Sequence, residues 1–522
     1  MNNAKWKVAI LLLSLAGVSG CATQPTGPVK QAEASHVEPE HPQYVSIEVE
    51  DNKLNRYIAH VILGNAEAYE HLRPEHFAQI DNLGAEVTKA IGISTAEDIS
   101  QIDLLVNLKT LYLERVEVTE VLDKISKLQN LQHLSLRSAI REANAALDTG
   151  TNLIETVVNL PNLRYLDIQD NHIDEIPAQI ANLTNLHTLK LNHNPISELP
   201  DEISELENLQ VLQLAFTDIA DISSLVFNIP NVKELSLYST NITDLPTGIG
   251  TLTNLVDLDL GVNAIEVLPS EVGNLNDLNH LRLTSNKLTT LPEELWSLID
   301  LETLDLRFND LTEISPQLNE LTNLTNLYLG GNSFVVVPEA VWELTQLESL
   351  DVGLYSSAEV PSQLSALTNL KTLVIGGIGI TEFPSEILEL TQLTGLELAV
   401  TSITELPAEI GNLTELEYLI LHFNELETIP PQINQLAKLE VLDLSYNNIK
   451  ELPDSLWKMP LKRLDLSDNE IASLPEEAYY LPTLEFINLE RNLLTTFPKE
   501  IEQLPNLKYF YLDGNLIETE DI

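Results

Sequence analysis

The chain has little of several residue types, and each shortage argues against a class of function. Its 522 residues include one cysteine, which excludes an internal disulfide framework, a cysteine-based zinc site and paired-thiol redox chemistry. Lysine and arginine total 28 against 79 aspartates and glutamates, so the formal charge is −51. That balance argues against nucleic acid as a partner, because such binding needs cationic side chains on the phosphates.

Long apolar runs are also missing. The apolar stretch at residues 8–18 has about half the 20 residues that a membrane-spanning helix needs. It follows two lysines and ends in small residues, which is typical of a secretory signal peptide. Residues 18–21, Val-Ser-Gly-Cys, resemble a bacterial lipobox, and this resemblance implies lipidation of Cys21 with enough acyl chains for a stable anchor. Ala22 in place of aspartate then implies sorting to the outer membrane, facing either the periplasm or the cell surface.

Four segments are expected from composition and pattern. Residues 1–20 are the predicted lipoprotein signal peptide, and residues 21–43 are the predicted lipidated cysteine with a Pro- and Glu-rich disordered tether. Residues 44–107 contain a stretch with helical spacing and are predicted to form a helical N-terminal cap. The remaining residues, 108–522, repeat one pattern.

The repeated unit reads LxxLxLxxNxIxxLPxxIxxLxN. Eighteen units start at residues 108, 131, 163, 186, 209, 232, 255, 278, 301, 324, 347, 370, 393, 416, 439, 461, 484 and 507. Fifteen of the 17 spacings are 23 residues, and the 32-residue exception predicts an extra helix near residues 141–158. The motif is similar to that of the leucine-rich repeat superfamily, in its 23-residue LPxxIxxL class. This resemblance implies an α/β solenoid, a curved horseshoe with a parallel β-sheet on its concave face.

The chemistry of the unit agrees with that fold. The L-x-L alternation predicts a short strand with one buried face, and each unit adds one strand beside the last. One repeat buries too little apolar surface to offset the entropy of ordering its 23 residues, so repeats must stack. Eleven units carry asparagine at the ninth position, where the resemblance implies that the amide ties neighbouring turns together.

No catalytic motif, cofactor-binding motif or metal-ligand pattern is present, so we expect no enzyme activity, no cofactor and no metal. Eighteen strands at about 4.8 Å give a concave face on the order of 85 Å long, large enough for a standard protein interface. The predicted function is therefore non-catalytic binding of a protein partner by a monomer that meets the membrane only through its lipid anchor. A basic partner is one option, since neighbouring strands carry Asp443 and Asp465.

Candidate binding residues come from the eighth and fifth positions on the predicted concave face, beside a row of small seventh-position residues. At the eighth position large and small residues alternate until Val400, Phe423 and Tyr446 follow one another. The seventh position is small over four units, which predicts a groove of nearly bare backbone. The apolar residues beside it are the candidates for partner binding: Phe308, Tyr328, Leu354, Val374, Val400, Ile420, Phe423 and Tyr446.

Other interpretations remain open at this point. The alternation at the eighth position is also explained by packing alone, and the apolar groove by relaxed drift of the repeat. The concave face could bind a glycan or envelope polymer in place of a protein. The chain could also be an intracellular signalling scaffold, which requires the lipobox interpretation to be wrong.

Overall fold

A computed structural model of the chain describes residues 49–140, 149–223, 229–353, 360–377, 379–497 and 504–517. The predicted signal peptide, Cys21, the tether and Leu354 lie outside the described residues. Within the described ranges, no helix combines the length and the apolar character needed to cross a bilayer.

The described residues form one open, fully parallel sheet of 19 strands, in which each strand pairs in register with the next along the chain. The predicted solenoid fold is confirmed. The strands are β1 Asn82–Leu83, β2 Thr110–Tyr112, β3 His133–Ser135, β4 Tyr165–Asp167, β5 Thr188–Lys190, β6 Val211–Gln213, β7 Glu234–Ser236, β8 Asp257–Asp259, β9 His280–Arg282, β10 Thr303–Asp305, β11 Asn326–Tyr328, β12 Ser349–Val352, β13 Thr372–Ile375, β14 Gly395–Glu397, β15 Tyr418–Ile420, β16 Val441–Asp443, β17 Arg463–Asp465, β18 Phe486–Asn488 and β19 Tyr509–Tyr511.

Leucines at the fourth and sixth positions build the core behind this sheet. In one repeat Leu281 and Leu283 are fully buried, whereas His280 and Arg282 of the same strand are only half-buried. The alternation follows from the two-residue period of a strand, which sends neighbouring side chains to opposite faces. The third, fifth and seventh positions therefore face the concave side.

Helices occur mainly near the N-terminal end of the described solenoid. They are α1 Lys53–Leu63, α2 Pro74–Phe77, α3 Ala85–Ile91, α4 Leu122–Ile125 and α5 Thr149–Val157. Leu54, Ile58 and Ala59 of α1 are fully buried, as expected for a helical cap. The sheet starts earlier than the repeat pattern indicates, because β1 lies within the predicted cap and pairs with β2. Helix α5 lies in the long unit, which confirms the predicted insertion helix.

Short 3₁₀ helices form the back of most repeats. Their N-cap is commonly the proline of the LP pair, whose fixed φ near −70° continues the chain without needing an N–H donor. Three 3₁₀ helices precede the first repeat: Ala66–His71, Glu97–Ile99 and Ile102–Leu104. Those within the repeats are Thr119–Val121, Ala178–Asn182, Asp201–Glu205, Thr247–Thr251, Ser270–Asn274, Glu293–Ser297, Pro316–Glu320, Glu339–Glu343, Ser362–Ala366, Ser385–Glu389, Ala408–Asn412, Pro431–Gln435, Leu456–Lys458 and Glu476–Tyr480.

The ninth-position asparagines connect one turn to the next. Asn309 shows the arrangement: its Nδ2 donates to the carbonyl of Leu283 at 2.9 Å and to that of Leu306 at 3.0 Å. Its Oδ1 accepts from the backbone N–H of Leu288 at 3.0 Å. The side chain therefore satisfies buried backbone groups of its own repeat and of the preceding one, which confirms the implied role of this position.

Candidate functional site

The eighth residue of the repeat lies in the left-handed region of φ in nearly every described unit. Its φ is between 50° and 59° in the non-glycine cases: Arg115, Ser138, Asp170, His193, Phe216, Ser239, Val262, Ser285, Phe308, Val400, Phe423, Tyr446, Asp468 and Arg491. Gly331 and Gly514 at the same position have φ of 74° and 78°. The eighth position is thus a turn that redirects the chain from the strand toward the back of the repeat.

This turn makes bulky side chains conformationally costly. A left-handed backbone costs roughly 1–2 kcal/mol for a residue with a Cβ, and it is least unfavourable for glycine, asparagine and aspartate. Phe423 and Tyr446 nevertheless occupy it on consecutive strands, with their rings stacked at a centroid distance of 4.1 Å. Val400 is β-branched and precedes them in the same row. Since the left-handed backbone recurs in nearly every unit, the size and apolar character of these side chains, and not the turn itself, set them apart.

The described candidates are all half-buried, while Leu354 falls outside the described residues. Tyr328, Val374 and Ile420 are fifth-position residues of the concave face, and the other four lie at the eighth-position turns that follow the strands. These candidates separate into three neighbouring groups. Phe308 and Tyr328 lie on adjacent repeats, Val374 and Ile420 lie on β13 and β15, and Val400, Phe423 and Tyr446 share the left-handed turn row. We call these seven residues the concave patch.

A second aromatic group lies nearer the N-terminal end, and the candidate residues did not include it. Phe216 is 47% exposed in spite of its left-handed backbone. Its ring stacks on His193 at 4.3 Å and meets Tyr238 at 5.3 Å. The sequence does place an aromatic residue at the eighth position here, but its exposure depends on neighbours that the repeat pattern does not specify.

The predicted groove of bare backbone is only partly present. A Cβ placed on Gly330 would lie 2.4 Å from Oδ1 of Asp351, and one on Gly376 would lie 2.3 Å from the carbonyl oxygen of Ala399. Neighbouring atoms therefore fill the space above both glycines. Similarly, a Cβ on Gly331 would lie 2.5 Å from the ring of Phe308, so this large–small pair is explained by packing, as the first of the open interpretations held.

Charged side chains on the concave face of the sheet form ion pairs, but Arg282 and Asp305 do not pair with each other or with the fifth-position residues of neighbouring strands. Nη1 of Arg282 lies 2.6 Å from Oδ1 of Asp257, a third-position residue on the neighbouring strand. Asp305 instead binds Arg307, whose guanidinium also lies 4.8 Å above the ring of Tyr328. Exposed pairs such as the first contribute little stability.

The fifth position carries carboxylates on alternate strands in this region. Asp305, Asp351 and Glu397 lie on β10, β12 and β14, and each is at most 7% exposed. Asp305 receives two hydrogen bonds from the guanidinium of Arg307, at 3.0 and 2.6 Å, and a third from its backbone N–H at 3.1 Å. Asp351 accepts from the backbone N–H of Gly353 at 3.0 Å. Burial still raises the pKa of Asp351 to about 6, because desolvation disfavours the charged form.

Glu397 has no such partner among the described residues. Burial raises its pKa to about 7, a change that the positive charge of His422 only partly offsets. His422 is 6% exposed, and its Nδ1 lies 3.7 Å from Oδ2 of Asp443 on β16. Burial lowers the pKa of His422, but the hydrogen bond and charge of Asp443 raise it by more. The region is therefore a buried row of mostly acidic groups bordered by apolar side chains.

Nothing in the described part of the chain resembles a metal centre, since no three His, Cys, Asp or Glu side chains are placed to hold an ion there.

The fold and this surface define a class: stacked-repeat proteins with a parallel concave sheet, a fold typical of protein-binding scaffolds. Family models described as leucine-rich repeat region match residues 143–226 and 271–376, and models described as leucine rich repeat match residues 414–461 and 460–517. The chain belongs to the leucine-rich repeat superfamily.

The chain is also similar to several solved structures. An internalin from Listeria monocytogenes is 25% identical with a TM-score of 0.50, over 64% of this chain and 93% of that chain. The ectodomain of the Arabidopsis receptor kinase HAESA, in complex with a peptide hormone, is 20% identical with a TM-score of 0.55, over 90% of both chains. A leucine-rich repeat protein from Leptospira interrogans is 29% identical over 85% of this chain and 90% of that chain, with a TM-score of 0.47. None of the curated protein sequences matches significantly.

Proposed function

We propose that the chain is a lipid-anchored protein of the cell envelope that binds a protein partner through the concave patch and catalyses no reaction. The observation that carries this proposal is the stacked pair Phe423 and Tyr446, held half-exposed on left-handed turns. Asparagine or glycine would form the same turns at lower conformational cost. Apolar and aromatic surface retained at such a cost is what a binding hot spot requires.

The replacement Phe423→Asn tests this function without disturbing the turn. Asparagine tolerates the left-handed backbone, so the solenoid should fold as before while the stacked ring is lost. Ser285→Asn is the matched control, since Ser285 occupies the same turn with φ of 55°. Each immobilised chain is exposed to envelope extract, and every captured protein is then purified and titrated against all three chains.

The expected result is a partner that binds the wild-type chain and Ser285→Asn with equal affinity but Phe423→Asn at least about 10-fold more weakly. Equal binding to all three chains would show that the concave patch is not the interface. Retention of purified polysaccharide in place of protein would favour the glycan-binding alternative.

The proposed anchor is tested separately. Cys21→Ser removes the only cysteine, so we expect the protein to move from the membrane fraction to the soluble fraction. Membrane association unaffected by this change would support the intracellular-scaffold alternative. Protease treatment of intact and lysed cells then distinguishes the cell surface from the periplasmic side.

A further inference from the structure

Glu397 differs from its neighbours in the carboxylate row because it is mostly buried and yet receives no bond from the chain. The residue is 7% exposed, and its carboxylate forms no hydrogen bond or ion pair within the described residues. Asp351, two strands before it, accepts from the N–H of Gly353, and Asp443, two strands after it, accepts from the N–H and hydroxyl of Ser445 at 2.9 and 2.7 Å. The oxygens of Glu397 are not fully enclosed, so solvent rather than the chain meets them, and the partial desolvation has no compensating bond.

The surroundings of Glu397 are apolar on both sides and aromatic on a third. Val374 on β13 and Ile420 on β15 are its partners in register. The ring of Tyr418 lies over Gly395. A Cβ added to Gly395 would fall 2.0 Å from the hydroxyl oxygen of Tyr418 and 2.3 Å from Cε1 of its ring. Gly395 and Glu397 lie on the same face of β14, so the tyrosine ring stands beside the carboxylate.

A second polar group in the same place also lacks a partner. His422 is 6% exposed, and its Nε2 is buried and forms no hydrogen bond. Its other ring nitrogen faces Asp443, and its ring meets Phe423 edge-on at 5.5 Å. A mostly buried carboxylate without a bond and a buried, unbonded ring nitrogen thus lie on adjacent repeats, next to the stacked aromatic pair, and a molecule bound there would supply both with partners. We call Glu397, Val374, Tyr418, Ile420 and His422 the Glu397 cluster.

The chemistry of the Glu397 cluster selects a particular kind of group. A carboxylate at the centre requires a cation or a hydrogen-bond donor, and the described residues offer no set of ligands for a metal ion. Lysine and arginine combine a charged head with an aliphatic stem. The stem would pack between Val374 and Ile420, and the head would meet the carboxylate of Glu397 beside the face of Tyr418. Asp351 and Asp443 add to the negative field at this place.

We propose that the Glu397 cluster receives a lysine or arginine side chain of the protein partner. This inference rests on the proposed function, since it names the chemistry that the concave patch recognises. The partner's cation would supply the bond that Glu397 lacks, and its backbone would bond to the free nitrogen of His422. Apolar groups flanking that lysine or arginine would contact Phe423 and Tyr446.

A display library of random dodecapeptides, selected against the immobilised full-length chain, provides the probe. Selection at about 0.15 M salt screens the attraction between separated surface charges and the strongly acidic chain. The enriched peptides are then synthesised and titrated against the wild-type chain, Glu397→Gln and Glu425→Gln. Glu425 is exposed, so its replacement removes the same charge from a place outside the cluster.

We expect the enriched peptides to contain lysine or arginine next to apolar residues. Glu397→Gln should weaken their binding about 10- to 100-fold, as expected for losing a hydrogen bond to a charged group, and Glu425→Gln less than about 2-fold. Three results would overturn the inference. The enriched peptides could be neutral, they could be cationic but bind Glu397→Gln as tightly as the wild-type chain, or the library could yield no enriched peptide.

Titrating the same peptides against Phe423→Asn and Ile420→Ala as well separates this inference from the proposed function. Peptides that lose affinity for Phe423→Asn and Ile420→Ala but not for Glu397→Gln would leave the concave patch as the interface and refute the role of Glu397. Peptides that bind all of these chains equally would refute both proposals.

Discussion

Replacing Glu397 by glutamine should stabilise the unliganded solenoid, and the gain should depend on pH. The pKa of Glu397 is about 7 in the folded chain against 4.5 ordinarily, so the folded state holds more protons than the unfolded state between these values. The free energy of unfolding of the wild-type chain therefore falls as the pH rises through that window. Over the whole window the loss is about 3 kcal/mol.

Glutamine keeps the shape of the side chain and does not titrate. At pH 5 the carboxyl is mostly protonated in the folded wild-type chain, whereas at pH 8 it must be charged and buried. We therefore expect the stabilisation by Glu397→Gln to be about 2.5 kcal/mol larger at pH 8 than at pH 5. Asp351, His422 and Asp443 face the cluster in both proteins, so most of their own titration cancels in the difference.

Urea unfolding at the two pH values measures this difference. Circular dichroism and the fluorescence of the buried Trp296 and Trp457 are followed together, since stacked repeats need not unfold in one step and the two probes must coincide. Glu425→Gln is the control and should show the same small effect at both pH values. A stabilisation by Glu397→Gln that does not change with pH, or a loss of stability at pH 8, would refute the assignment of Glu397 as a buried, unpaired acid.

Two further predictions concern the scaffold itself. Asn309→Ala leaves the buried N–H of Leu288 without a partner and removes one of the two amide bonds to each of the carbonyls of Leu283 and Leu306, which keep those from Asn286 and Asn332. It should lower the free energy of unfolding by about 2–4 kcal/mol, whereas Asn276→Ala at an exposed position should cost less than about 1 kcal/mol. Urea titration compares the two variants, and equal losses would contradict the bonding role of the ninth position. Gly331→Ala forces a Cβ into a left-handed turn and against the ring of Phe308, so it should lower the midpoint of thermal unfolding by several degrees. Gly353→Ala, where the new Cβ meets its nearest atoms at 3.4 Å, should change the midpoint little. Similar midpoints for both variants would argue against the turn geometry.

The repeat period was enough to predict the sheet, its register and its buried face. A 23-residue spacing allows each unit to add one strand, and Leu304 and Leu327 pair in register as the spacing requires. The ninth-position asparagines recur at the same place in successive turns, but their bonding role was implied by the resemblance to the leucine-rich repeat superfamily and not by the spacing. The extra helix in the 32-residue unit followed from the length of that unit alone.

The details of the binding surface were less accessible, because they depend on contacts between repeats. The left-handed turn at the eighth position is indicated only weakly, by recurring aspartate, serine and glycine such as Asp170, Ser239 and Gly331. The burial of Glu397 depends on Val374, Ile420 and Tyr418, which belong to other units. Gly395 two residues before Glu397 is the available sequence clue, since its missing side chain leaves room for the tyrosine ring.

The recurring left-handed turn has a consequence for how such a surface can change. Because φ at the eighth position stays between 50° and 59° whether the residue is serine, valine, phenylalanine or arginine, the backbone path does not depend on the side chain presented there. The strain of each turn is met locally, within a repeat whose core leucines are unaffected. Side chains in this row can therefore be exchanged between repeats. Ser239→Phe combined with Val262→Tyr, at consecutive turns with φ of 56° and 54°, should place a stacked aromatic pair elsewhere on the solenoid without redesigning the scaffold.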